Sequence, residues 1–174
     1  MADEIELHPP QSGWTAKFES EAAALRPLFA PGALIDFQHI GSTAIHGIAA
    51  KPVIDMMALV SDLADGLALI EPLKARGYAF WADNPRTDRL FFVRGLPPAP
   101  RRTHHLHVTA DPDELARHVL FRDHLNADAD ERAAYEALKR ELAVRHRDDR
   151  EAYTMAKRDW IRAAEARARA GQSG

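Results

Sequence analysis

The sequence predicts a single α/β domain over residues 1–174: a small mixed sheet flanked by helices, followed by a helical C-terminal third. Three observations carry this expectation. Apolar strand-like runs alternate with helical patterns through residue 110. From 111 to 170 the periodicity is helical throughout, so those residues are expected to pack as helices on the 1–110 core. No linker or internal repeat divides the chain, and 174 residues suffice to bury one core.

Taken in order, Trp14, Phe18, Ala22, Leu25 and Leu28 recur every three or four residues, which predicts a helix over Trp14–Phe29 closed by Pro31 and Gly32. Leu34–Ile40 reads as a strand with Ile35 and Phe37 on one face. Val53–Val60 is almost continuously apolar, as a strand buried on both faces is. Asp55 lies inside that run and must have a partner, because an isolated buried charge is strongly disfavoured. A helix is expected over Leu63–Arg76, blemished by Pro72 and stopped by Gly77. Strands follow at Tyr78–Trp81, Arg89–Arg94 and Thr103–Thr109, with a stiff loop at Gly95–Pro100. Asp111, Pro112 and Glu114 form a helix start: a capping acid, proline at the first helical position and glutamate three after the cap. Two or three helices are expected beyond it, with stripes Leu115–Val119, Tyr135–Leu138–Leu142 and Tyr153–Ala156–Trp160, and the tail RAAEARARAGQSG reads as a fraying end.

Composition narrows function. Lys and Arg number 23 against 26 Asp and Glu, a net charge of −3, so a whole-protein electrostatic hold on nucleic acid or membrane is not expected. No run is long and apolar enough to span a membrane, and no secretory signal opens the chain. Cysteine is absent, which removes disulfides, thiolate metal sites and cysteine nucleophiles and suits a cytoplasmic location.

Two segments carry chemistry. The first is His39–Met57. Gly41, Ser42 and Thr43 end a strand, where glycine lets backbone approach a bulky anion and the hydroxyls and nearby N–H groups can bond phosphate oxygens. Lys51 adds positive charge, and Asp55 lies on the next strand, where it could face a metal and the cradled phosphates. The second is Thr103–Thr109. Alternation places Leu106 and Val108 on one face and His105 and His107 on the other, a workable metal pair at i, i+2. With Asp55 they would make a two-His-one-carboxylate set for Mg²⁺, Mn²⁺ or Zn²⁺; without metal they could bind phosphate or move protons. Between 84 and 109 stand five arginines and one acid, and Arg102, closest to the histidines, is the expected anion contact. No aromatics interleave the arginines in the loop, so a polynucleotide partner is not expected. Tyr135 with Lys139 and Tyr153 with Lys157 are i, i+4 pairs; they either line the pocket or pack Tyr under a Lys stem whose ammonium reaches water. Trp14, Trp81 and Trp160 are expected in the core, and His46, His118, His124 and His146 at the surface or in caps.

The chain resembles the GrpB family, an uncharacterised bacterial family of which similar domains occur fused to some dephospho-CoA kinases. The resemblance rests on His39-Ile-Gly-Ser-Thr, Gly47-Ile-Ala-Ala-Lys-Pro-Val-Ile-Asp55, Thr103-His-His-Leu-His-Val108, Phe121-Arg-Asp123 and the two Tyr–Lys pairs, and covers nearly the whole sequence. It implies a nucleotidyltransferase-like fold, in which a Gly-Ser turn holds nucleotide phosphates and two carboxylates one residue apart hold divalent metal. Gly41, Ser42 and Asp55 match those positions; Met57 stands at the second carboxylate. The expected function is binding of a nucleotide or other phosphorylated small molecule, with transfer of a nucleotidyl or phosphoryl group by Asp55, His105 and His107. Gly41, Ser42, Thr43, Lys51, Arg102, Lys139 and Lys157 would hold the anion. The alternatives are a nucleotide-binding module without catalysis, which Met57 favours, and a metal-dependent hydrolase on Asp55, His105 and His107.

Overall fold

A computed structural model describes residues 5–84, 86–99 and 101–172. Pro100 of the expected loop, the first four residues and the last two of the tail lie outside them. The elements in order are α1 (Gly13–Leu25), a 3₁₀ turn (Arg26–Leu28), β1 (Leu34–Ile40), a 3₁₀ turn (Ser42–Ala44), β2 (Ile54–Val60), α2 (Leu63–Leu67), α3 (Ile70–Lys74), β3 (Tyr78–Phe80), β4 (Arg89–Arg94), β5 (His104–Thr109), α4 (Pro112–Ala127), α5 (Ala129–Arg145), α6 (Arg150–Ala156) and α7 (Arg158–Gln172).

The five strands form one mixed sheet in the order β1-β2-β5-β4-β3. Among the described residues only β2 and β5 pair in parallel, in a register that sets Asp55 against His105 and Met57 against His107. This is the mixed α/β architecture expected.

Alternation then divides the sheet. Phe37, Met56, Ala58, Val60, Leu90, Phe92, Leu106 and Val108 share the main core with Trp14 and Leu25 of α1 and Leu69 and Leu73 around α3. On the other face Ile40, Met57 and Leu59 pack under Leu115 of α4, with Val119 against them. A third cluster joins Ile45 and Ile48 to Phe121, Leu125, Tyr135 and Ala164, tying the chain between β1 and β2 to the C-terminal helices. Among the described residues no helix is long and apolar enough to cross a membrane.

Several boundaries depart from expectation for identifiable reasons. Ile35 is exposed although Phe37 is buried, because the register slips between Leu34 and Asp36 and the irregularity turns the strand's start outward. The single helix expected over Leu63–Arg76 is two short ones; Pro72 has no N–H to bond the carbonyl of Ala68, and the chain turns there before α3 begins. Among the described residues the C-terminal third holds four helices. Tyr153 and Lys157 do not lie on one continuous helix, since α6 ends at Ala156 and Lys157 is the junction to α7. Ala156 is exposed accordingly, which interrupts its expected stripe. The tail, as far as Gln172, is a docked helix: Ala164 and Ala168 are buried, and Glu165 accepts from Arg117 of α4 at 2.6 Å.

Candidate functional site

The site begins with the bend after β1. Gly41 has φ +69°, and a Cβ there would stand 2.6 Å from Asp55 Oδ2, so glycine is required twice over: for the left-handed backbone and for the close approach of the carboxylate. The next three residues curl into the 3₁₀ turn. Thr43 donates its hydroxyl to the Val53 carbonyl (3.2 Å) and accepts from His39 Nε2 (3.0 Å). Its polar atom is therefore committed inside the protein, and Thr43 braces the turn. Burial lowers the pKa of His39 to about 4, which keeps the ring neutral in that bond.

The segment 44–50 is held from the C-terminal helices. Asn126 accepts from His46 N and donates to the Ala44 carbonyl. Glu136 accepts from Ala49 N at 3.2 Å, and Lys139 donates to the Ala49 carbonyl. Lys139 is 1 % exposed, so neither expected reading of the Tyr135–Lys139 pair is complete: the ammonium lies over the Tyr135 ring and is buried with its carbonyl instead of reaching water. Burial and the nearby Lys157 charge bring its pKa down to about 7. Lys157 lies 4.2 Å from the Tyr153 ring centroid with Lys51 5.2 Å from the same ring, and burial lowers the Lys157 pKa to about 8.

The floor is the polar half of the sheet's second face. His105 Nδ1 donates to Asp55 Oδ1 at 2.8 Å, which is the partner the sequence required. Burial alone would raise the Asp55 pKa, but the His105 hydrogen bond, with the Lys51 charge nearby, holds it well below the usual carboxylate range. With Nδ1 committed to Asp55, Nε2 is the ring nitrogen of His105 left without a hydrogen-bond partner, and it is buried. His107 stacks on Phe91 (centroids 4.6 Å apart, planes 16° apart), and burial keeps it neutral.

Above this floor lies a cavity of about 640 Å³ lined by Ser42, Thr43, Lys51, Asp55, Arg102, His105, His107, Lys139 and Lys157 among others. The expected residues from the turn, both strands and the helices thus reach one cleft; Gly41 lines an adjoining lobe that shares Ser42, Asp55 and His107.

Other lining residues carried no expectation of a site. Trp81, expected in the core, is 38 % exposed at the cleft, with Arg102 5.1 Å from its ring and Phe91 tilted beside it. Alternation of β4 signalled Phe91, which faces opposite to Leu90 and Phe92. The arginine-rich segment is not a bare basic patch. Arg94 pairs with Glu21 on the opposite face, and Arg86 and Arg89 both pair with Glu114, which also takes Arg117 and His118. Glu114 thus departs from the expected capping box; Asp111 alone accepts, from Asp113 N.

Among the described residues no three His, Asp or Glu side chains are grouped to hold a metal ion. Asp55 already shares one oxygen with His105, and the second carboxylate position is Met57, fully buried in apolar packing. These donors do not fit a two-metal centre.

The family model described as GrpB protein matches residues 4–167. A UPF0157 protein of Pseudomonas aeruginosa is 44% identical over 159 residues, covering 89% of this chain and 64% of that protein. A protein of Mycolicibacterium paratuberculosis described as dephospho-CoA kinase is 34% identical over 94% of this chain, which spans 46% of its length. The crystal structure of a conserved protein from Enterococcus faecalis, also described as GrpB, superposes with a TM-score of 0.86 at 29% identity, over 97% of this chain and 100% of that one. The chain therefore spans about two thirds or less of some relatives and the whole of another.

Proposed function

The chain belongs to the GrpB family, and from that premise we propose that it binds a phosphorylated small molecule, a nucleotide being the best match, in the cleft over Asp55. One observation carries the reading. In a chain of net charge −3, the cavity gathers six lysines and arginines against two acids. Ser42 and the backbone of its turn would hold phosphate, and Lys51, Arg102 and Lys157 would neutralise it. Thr43 and Lys139 support the walls. The exposed Trp81 ring offers a flat surface beside those cations, as a nucleobase requires. The dephospho-CoA kinase relative agrees with a nucleotide-related setting, and a cytoplasmic one suits a chain without cysteine.

The reaction this site would support is nucleotidyl or phosphoryl transfer. The acceptor oxygen bonds phosphorus, its proton passes to His105 Nε2, and the bond from phosphorus to the departing oxygen breaks. Asp55 holds the His105 tautomer and supports the imidazolium. The buried Met57 favours a second reading, a nucleotide-binding module without turnover. A metal-dependent hydrolase has less support, because the donors are not grouped for an ion.

Thermal unfolding against a panel of nucleotides tests binding. A ligand at ~100 times its Kd stabilises by roughly 2.7 kcal/mol, and a shift of several degrees is expected for a chain of this size. A flat response to every nucleotide overturns the reading; binding without turnover of any triphosphate selects the module. Asp55→Asn should leave the chain folded and abolish turnover, and imidazole nitrogen NMR should show His105 losing its fixed Nδ1–H tautomer. An unchanged tautomer would remove Asp55 from its positioning role.

A further inference from the structure

The cleft continues past Asp55. A second lobe of about 630 Å³ opens beside it, and the two lobes share Ser42, Asp55, His107, His118, Thr154 and Lys157. The phosphorylated guest proposed above lies over the first lobe and reaches the junction at Ser42 and Lys157.

The second lobe has its own charge pattern. Its acids are matched within the fold: Glu114 takes Arg86 and Arg117, and Glu165 takes Arg117. Asp55 is bonded to His105. Two further arginines, Arg158 and Arg162, line the same lobe and make no ion pair among the described residues. They stand one turn apart on α7, so their side chains leave the same face of that helix. Phe121 and Ile161 supply apolar wall beneath. A guanidinium pair over a partly apolar cavity suits a small anion with planar or tetrahedral oxygens, held by forked hydrogen bonds.

Building on the first-lobe reading, we propose that the second lobe is a separate subsite for a small carboxylate- or phosphate-bearing molecule, bound by Arg158 and Arg162 while the first lobe is occupied. The two guests then meet at Asp55 and His107, where the lobes join. A cleft with one guest would not need two cationic ends on either side of its reactive floor.

The test is calorimetric titration of the full chain, saturated with ATP, against citrate and separately against pyrophosphate; the anion that binds identifies the oxygen chemistry. One equivalent of at least one anion is expected to bind. Arg158→Gln/Arg162→Gln should weaken that anion about tenfold or more, while Lys51→Ala/Arg102→Ala weakens ATP and spares the anion. Both arginines are exposed, so the double variant is expected to fold, and its thermal melt checks this. If neither anion binds, or the arginine variant binds both like the parent, the subsite is wrong. If ATP fails to bind, the first-lobe reading fails by itself. The anion titrations then run on the ATP-free chain, where dependence on Arg158 and Arg162 but not on Lys51 still decides the second lobe.

Discussion

On β5, Leu106 and Val108 lie fully buried in the core, with Gly66 of α2 against Val108, while His105 and His107, one residue away each, face the cleft. The same division runs through β4, where Phe92 is sealed and Phe91 lies under the cavity, and through β2, where Met56 is sealed and Asp55 bonds His105. The closed face has helices over its whole width. On the second face α4 lies on Met57 and Leu59, and the cleft opens beside it. A site and a core built back to back on the same strands can answer differently to substitutions at adjacent positions.

The widest separation is expected from the two phenylalanines. Phe92→Ala removes a fully buried ring and should cost about 3–5 kcal/mol, or roughly 10 °C of melting temperature for a domain of this size. Phe91→Ala should cost clearly less and instead release His107 from its stack, weakening nucleotide-induced stabilisation. Equal losses of stability would erase the distinction between the faces.

Gly41→Ala sharpens the comparison at the edge of the floor. Positive φ and the 2.6 Å approach to Asp55 Oδ2 together predict a loss of about 1–3 kcal/mol, read by denaturant unfolding, with loss of the nucleotide response. Retained stability and binding would mean that the bend and the carboxylate are not coupled.

The smallest effect is a slope. His39 lies on the closed side, stacked on Phe18, with its pKa lowered to about 4 by burial. Between pH 6.5 and about 4 the unfolded chain binds a proton that the folded ring refuses, so stability falls as pH falls through this window. His39→Gln should flatten that part of the stability curve. An unchanged slope would place the titration elsewhere, the buried His107 being the next candidate.

Much of this was legible before any coordinates. Alternation along Thr103–Thr109 placed the histidines opposite Leu106 and Val108, and the apolar run around Asp55 demanded a partner for it. Local signals failed where a distant residue decided. Nothing near Thr43 announces that Val53 and His39 consume its hydroxyl, and nothing near Lys139 announces the Ala49 carbonyl. Trp81 reads as core because large aromatic rings are usually buried, yet its position beyond β3 leaves it at the cleft.

The sequence alone determined the strands, their inward and outward residues and the glycine bend, because backbone sterics and side-chain alternation act over a few residues. The tertiary structure alone decided that Asp55 meets His105, that Glu114 and Glu21 quiet most of the arginine segment, and that the tail docks as a helix. Those outcomes depend on parallel pairing of β2 with β5 and on helices arriving from far along the chain, and no short-range pattern encodes which charges will meet.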